Sequence, residues 1–178
     1  MSKPNNQNQN QDQAPVEDTN ELIAQLQAKL DDISASGKQP YPNKFKRTDY
    51  AQDLQAAFDG VSKQEIEDKA ANGEKTQVNV AGRVMLNRGA FIVIQDMTGR
   101  IQLYVARKEL DPETLATIKS LDLGDIVGVS GYIGRSGKGD LDVHIEEFQL
   151  LTKALRPMPN KFHGLADVEA RYRNRHLD

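Results

Sequence analysis

A chain of 178 residues is long enough for one domain with attachments and for a hydrophobic core of ordinary size. It has no cysteine, which excludes a disulfide framework and any cysteine-based metal site, and His144, His163 and His176 show no ligand spacing. No apolar run approaches membrane-spanning length and no signal-peptide core opens the chain, so a cytoplasmic protein is the simplest expectation.

The net charge of −3 hides an uneven distribution. Residues 75–108 carry six basic side chains against one acidic, Asp96, whereas residues 109–150 carry three against nine. A positive segment in an acidic chain is what a local polyanion contact needs, although chance clustering of solvated charges gives the same count.

Residues 1–17, MSKPNNQNQNQDQAPVE, are rich in Asn and Gln and lack large apolar groups. They bury too little surface to offset chain entropy and are expected to be disordered. Residues 18–74 read as a helical extension. An amphipathic helix over 19–35 has Asp18 as its N-cap and Leu22, Leu26, Leu30 and Ile33 as its stripe, and Gly37 ends it. GKQPYPNKFKR, basic through Lys38, Lys44, Lys46 and Arg47, reads as an extended, solvated linker. A helix at roughly 49–58 turns Leu54, Ala57 and Phe58 to one side. A shorter one follows, with a capping box in Ser62 and Glu65 and a stop near Gly73. These small helices should flank or plug whatever follows.

Residues 75–152 carry the strand signals. Side chains alternate along a strand. Val78, Val80, Val84 and Leu86 therefore oppose Asn79, Arg83 and Asn87; Ile92 and Ile94 oppose Phe91 and Val93; Ile101, Leu103 and Val105 oppose Arg100, Gln102 and Tyr104. Asp111 and Pro112 then open a helix to about Leu121, with Leu115 and Ile118 inward. Strand four covers 125–133, the loop GRSGKGD spans 134–140, and strand five alternates Leu141, Val143 and Ile145. Gly82, Gly128 and Gly131 inside strands suit the coiling of a small closed barrel. The fold class is thus mainly β with flanking helices: a five-stranded OB-fold barrel of order β-β-β-α-β-β, preceded by N-terminal helices. A β-sandwich would need more strands than the chain supplies.

If the aliphatic faces form the core, the other face presents Arg83, Arg88, Phe91, Arg100, Gln102 and Tyr104. An isolated exposed Phe is usually a half-buried bystander. Here a four-residue turn, Asp96 to Gly99, sets Phe91 opposite Tyr104 and diagonal to Gln102, within reach of one nucleotide. Such a face suits stacking on an unpaired base, worth roughly 1–3 kcal/mol, with discrimination by hydrogen bonds from Gln102 and Arg88.

The loop GRSGKGD is not a phosphate-binding loop of the Walker type, because Tyr132 and Gly139 stand where a glycine and a hydroxyl are required. It reads as a hairpin loop from which Arg135, Lys138 and Asp140 reach bound nucleic acid. No catalytic constellation emerges. Adjacent Glu146 and Glu147 should point to opposite faces of a strand, and His144 reads as an outward, solvated histidine.

The run LDLGDIVGVSGYIGRSGKGDLDVHIEEFQLLTKALRPMPNKFHGLADVEARYRNRHLD, with GRIQLYVAR before it, resembles bacterial lysyl-tRNA synthetases. Its most specific part is LTKALRPMPNKFHGL followed by EARYRNR, similar to the junction into a class II catalytic domain. Residues 153–178 are accordingly expected to be a linker and the start of that domain. The resemblance covers about residues 20–178. It implies that the barrel binds the uridine-rich anticodon of lysine tRNA. It also implies that the complete enzyme is a cytoplasmic homodimer that uses ATP and Mg²⁺ to activate lysine and transfer it to tRNA. By the same resemblance Phe91 stacks on the central anticodon base, Gln102 and Arg88 hydrogen-bond to it, and Asp140 faces the first base.

Two departures stand out. Only Gly89 and Ala90 separate Arg88 from Phe91, where the family pattern has several more residues including Gly-Lys. Asp140 replaces a glutamate one methylene longer. The motifs that hold ATP and the lysine pocket are absent from these residues, so the chain alone is expected not to aminoacylate. Two alternatives remain: a stand-alone single-stranded nucleic-acid-binding OB protein, and the equivalent domain of an aspartyl- or asparaginyl-tRNA synthetase. The former has no use for the EARYRNR tail, and the latter shares the Phe and Gln but not LTKALRP…KFHGL. A helper domain docking other proteins is least favoured.

Overall fold

In the computed structural model, residues 16–158 are described, with the side chains of residues 16–19 left aside. The polar tail therefore lies outside the described residues except for its last two, which are helical, and so does nearly all of the expected catalytic lead-in. The elements are α1 (Val16–Ala35), α2 (Ala51–Ala57), α3 (Lys63–Ala71), β1 (Gln77–Asn87), β2 (Phe91–Gln95), β3 (Arg100–Tyr104), α4 (Pro112–Lys119), β4 (Ile126–Arg135) and β5 (Leu141–Thr152).

The sheet closes on itself in the order β1-β2-β3-β5-β4, with β3 and β5 parallel and the other pairs antiparallel. This is the expected OB-fold barrel. Closure removes free sheet edges and encloses the aliphatic faces read from the sequence. Val78, Val80, Val84, Ile92, Ile94, Ile101, Leu103, Val129 and Val143 are buried in one cluster, which Ala51, Leu54 and Ile66 of the small helices extend. Gly131 is required by contact: a Cβ there would lie 1.9 Å from the His144 carbonyl oxygen on the paired strand.

Three register shifts interrupt the strand pairing, one of them between Ile126 and Val127 where β4 meets the end of β5, and the other two alter the alternation. Between Val84 and Leu86 the β1–β2 register shifts, so Leu86 pairs with outward Val93 and Asn87 with inward Ile92. Leu86 therefore leaves the core set, and the Asn87 side chain donates to the Ile118 carbonyl at the end of α4 (3.4 Å). A second shift, between Ser130 and Gly131, leaves Glu146 without a cross-strand partner. Glu146 and Glu147 are consequently both exposed rather than split between faces.

The helices differ from expectation in detail. Because α1 covers Val16–Ala35, Asp18 lies inside the helix and not at its N-cap position. The protected stripe runs through Ile23, Leu26, Leu30 and Ile33, while Leu22 is 46% exposed. Mixed steps of three and four follow one line along a helix, and repeated steps of four drift from it. In α2, Ala51 and Leu54 are buried and Ala57 is exposed. Its N-terminus is capped from afar: the Ala51 N–H donates to Asp96 Oδ2 (2.8 Å) and the Gln52 N–H to Thr98 Oγ1 (3.1 Å). The capping box of Ser62 and Glu65 and the Asp111 N-cap form as expected. The segment before α2 is not a plain solvated linker. The Phe45 ring packs onto Gly128, where any Cβ would meet it at 2.8 Å, Lys38 pairs with Glu113 (2.6 Å), and the Arg47 guanidinium lies 3.9 Å from the centre of the Tyr50 ring.

At one end of the barrel a buried ionic cluster ties distant parts together. Lys153, 2% exposed at its side chain, donates to both Asp125 oxygens (2.9 and 2.8 Å) and to Asp122 (2.6 Å). Lys29 of α1 donates to Asp122 as well (2.7 Å). Asp125 also accepts from the N–H groups of Asp122 and Ala154, both at 2.8 Å. Burial works against the Asp122 charge, but hydrogen bonds from Lys153 and Lys29 outweigh it and hold its carboxyl below the ordinary value of 3.8.

Candidate nucleic-acid interface

The β2–β3 hairpin builds the outer face. Its turn closes through the Asp96 N–H donating to the Gly99 carbonyl (3.0 Å), and Asp96 Oδ1 accepts from the N–H groups of Thr98 (2.7 Å) and Gly99 (2.9 Å). Burial raises the Asp96 carboxyl, yet the bonds from Ala51, Thr98 and Gly99 together hold it below its usual range. This turn fixes the register, and the register pairs Phe91 with Tyr104 and Val93 with Gln102. The Phe91 and Tyr104 ring centres are 5.3 Å apart at 43°.

Barrel closure extends that pair into a row of four rings. Tyr104 pairs with His144 across the parallel β3–β5 contact, and His144 with Tyr132 across β5–β4. Their centres are separated by 4.7 and 4.8 Å, and the Lys75 ammonium lies 4.1 Å from the centre of the Tyr132 ring. His144 Nε2 is 3.3 Å from Oδ1 of Asp142, a side chain only 2% exposed. Burial, then the charges of Glu109, Glu146 and Asp142, push the Tyr132 phenol up, so its proton stays available for donation. Beside the row, between the rings and α3, lies a cleft of about 390 Å³ lined by Phe91, Tyr132, His144, Asp142, Lys63 and Lys75.

Residues 78–151 match a family model described as an OB-fold nucleic acid binding domain. The barrel has the OB fold. Over its whole length the chain is 88% identical to the lysine–tRNA ligase of Psychrobacter cryohalolentis, of which it covers 35%. It is 89% identical to that of Psychrobacter arcticus, again covering 35%, and 59% identical to that of Acinetobacter baylyi, covering 34%. The resemblance to lysyl-tRNA synthetases read from the sequence is thus borne out, and the chain spans about a third of the length of these relatives.

The OB domain does not gather every residue the sequence placed on its face. Phe91, Tyr104 and Gln102 are together, each half-buried, and the Gln102 side chain has no hydrogen bond among the described residues. Arg88 is exposed in the short β1–β2 turn, its N–H donating to the Phe91 carbonyl (2.9 Å). Arg83 and Arg100 belong to a different row. They pair with Gln95 from either side, four residues from Phe91 along β2, or roughly 13 Å. Both are engaged there: Arg83 Nη1 donates to the Gly124 carbonyl (3.1 Å) and Arg100 Nε to Gln95 Oε1 (2.9 Å).

The β4–β5 loop also divides. Lys138 and Asp140 are exposed at its tip, where their N–H groups donate to Ser136 Oγ (3.3 and 3.1 Å). Arg135, expected to reach nucleic acid, instead clamps the Phe58 carbonyl (2.7 Å) and the Gly139 carbonyl (2.5 Å). His144 is not the solvated histidine expected, because two tyrosines and Asp142 enclose it. Reading the sequence missed Tyr132, Asp142 and Lys75 on the face. It also missed Arg107, whose guanidinium comes within 2.9 Å of the space above Gly89, beside Arg88. Outward alternation of Tyr132 with Ile133 was the available signal for the first of these.

Proposed function

We propose that this OB domain is the anticodon-binding part of a class II lysine–tRNA ligase. In that reading the whole enzyme attaches lysine to its tRNA with ATP and Mg²⁺, as a cytoplasmic homodimer. The observation that carries it is the half-buried Phe91 ring beside an unengaged Gln102 amide on the outer wall of the barrel, in a chain whose relatives are lysine–tRNA ligases. An aromatic face stacks an unpaired base, and an amide with free donor and acceptor groups reads a base edge. Uracil offers a matching N–H and carbonyl. Arg88, on the turn that abuts Phe91, supplies the second contact to that base, and Asp140 and Lys138 stand at the loop tip for a neighbouring nucleotide. Arg83 and Arg100 serve instead as phosphate contacts further along the hairpin. The 178 residues carry no ATP-binding motif of the family, so in this reading they contribute RNA binding and do not themselves aminoacylate.

The test is a titration of the chain at fixed salt with two hairpin RNAs that differ only in the anticodon triplet, UUU or GCG. Tighter binding of the uridine triplet, with affinity falling as salt rises, supports the reading. Equal affinity for both contradicts it.

A further inference from the structure

Resting on that reading, we infer that Arg135 is a positioning residue for RNA recognition. It joins the β4–β5 loop to the end of α2, and so holds Lys138 and Asp140 in place relative to Phe91 and Gln102 without touching RNA itself.

Three observations converge. The first is the construction of the loop. The Ser136 N–H donates to the Asp140 carbonyl (2.8 Å), the Gly139 N–H donates back to the Ser136 carbonyl (3.0 Å), and Ser136 Oγ accepts from Lys138 and Asp140. Gly139 has a φ of 92°, where a side chain would be strained. Residues 136–140 are thus wound into a closed turn, and none of these bonds reaches beyond it. Among the described residues, the one hydrogen-bonded link to an element other than β4 and β5 runs through Arg135. Its Nη1 holds the Gly139 carbonyl inside the loop, and its Nη2 holds the Phe58 carbonyl outside it.

The second observation is what stands on the far side of that link. Helix α2 is a strut fastened to the β2–β3 hairpin. Its first two N–H groups donate to Asp96 and Thr98 in the turn, and Gln55 Nε2 donates to the carbonyl of Arg100 (2.7 Å), two residues before Gln102. Phe58 is the C-cap at its other end and packs against the barrel core. A cation is favoured at the C-terminal carbonyls of a helix, which is where the guanidinium sits. The loop tip is therefore located relative to the hairpin through α2 as well as through the sheet.

The third is the state of the guanidinium. Arg135 Nε is buried and has no hydrogen bond, a costly condition for a donor. Both of its arms are taken by carbonyls of the chain itself, so the group is not presented to a phosphate. A planar fork spans two carbonyls that a single ammonium does not hold together in the same way. The exposed side chains of Lys138 and Asp140 are left to meet the RNA. A loop ordered in advance loses less entropy when the nucleotide arrives.

The experiment uses the whole chain and three hairpin RNAs carrying a UUU triplet: intact, with the first uridine abasic, and with the middle uridine abasic. The first uridine is the one that the reading assigns to the loop. Arg135→Ala should shrink the affinity ratio of intact to first-abasic hairpin about 2- to 10-fold, the ordering cost of a loop side chain. The ratio of intact to middle-abasic hairpin, set by Phe91 and Gln102, should stay as in the parent chain. The slope of log affinity against log salt should not change, because no phosphate contact is lost. In a chain that already carries Lys138→Ala and Asp140→Ala, adding Arg135→Ala should change nothing further. Arg135→Lys keeps the charge and loses the fork, so it should shrink the first ratio as well, and it carries the test if the alanine variant does not fold. The inference is overturned if either variant binds all three hairpins as the parent does, if the loss is equal on every hairpin, or if the salt slope falls by about one, which would make Arg135 a direct phosphate contact. A parent chain that binds all three hairpins alike would overturn the anticodon reading, and the inference with it.

Discussion

The buried ionic cluster and the ring face treat polar groups in opposite ways. In the cluster every charge is answered: Lys153 meets Asp125 and Asp122, and Asp125 accepts two backbone N–H groups besides. On the face, the Gln102 amide is unengaged among the described residues and Asp142 Oδ1 has no hydrogen bond. Satisfied networks fix a structure, whereas polar groups left open beside rings can take a ligand. In the proposed reading, stability rests on the cluster and recognition on the face.

The contrast is broken most forcefully at Lys153. Lys153→Met leaves Asp125 buried without its cation and should cost about 3–5 kcal/mol of folding stability, read as a loss of the denaturation midpoint. RNA affinity of the molecules that remain folded should be unchanged. A loss within error of zero would show that the cluster is not structural.

Asp96 comes next, since it caps α2 and closes the β2–β3 turn at once. Asp96→Ala should cost about 1–2 kcal/mol. Acid probes the same contacts. The folded-state carboxyls of Asp96 and Asp122 are held below their ordinary value of 3.8, so the unfolded chain takes up protons first. Stability is therefore fully present above that value and is lost as pH falls through the lower folded-state range. A melting temperature flat across that window would contradict it.

The smallest effect is expected at Gln102. Gln102→Ala should leave the melting temperature unchanged and weaken uridine-hairpin binding by about 0.5–1.5 kcal/mol, the net worth of one hydrogen bond. If it shifts stability instead of affinity, the division between the two ends fails.

Alternation along single strands sufficed to read the barrel core, the Phe91–Tyr104 pairing and the four-residue turn from the sequence, because these depend on neighbours in the chain. Three things were not legible that way. The bulges at Met85 and Glu146 change the period without a residue that marks them, which moved Leu86 out of the core set and exposed both glutamates. The row that joins His144 and Tyr132 to Phe91 arises only when parallel β3 and β5 close the barrel across a helix and a strand. Arg135 looked like a basic loop residue, and only the fold brings the Phe58 carbonyl, 77 positions away, to its guanidinium. Arg83 and Arg100 share a face with Phe91 as expected, but a shared face of a coiled strand extends further than one nucleotide reaches.

The most direct test pairs two readings on Phe91→Ala: thermal melting, and titration with the uridine hairpin at fixed salt. A ring that serves recognition should leave the melting temperature close to that of the parent chain while affinity falls about 5- to 100-fold. Unchanged affinity with a lowered melting temperature would make Phe91 part of the core, and the interface described here would be wrong.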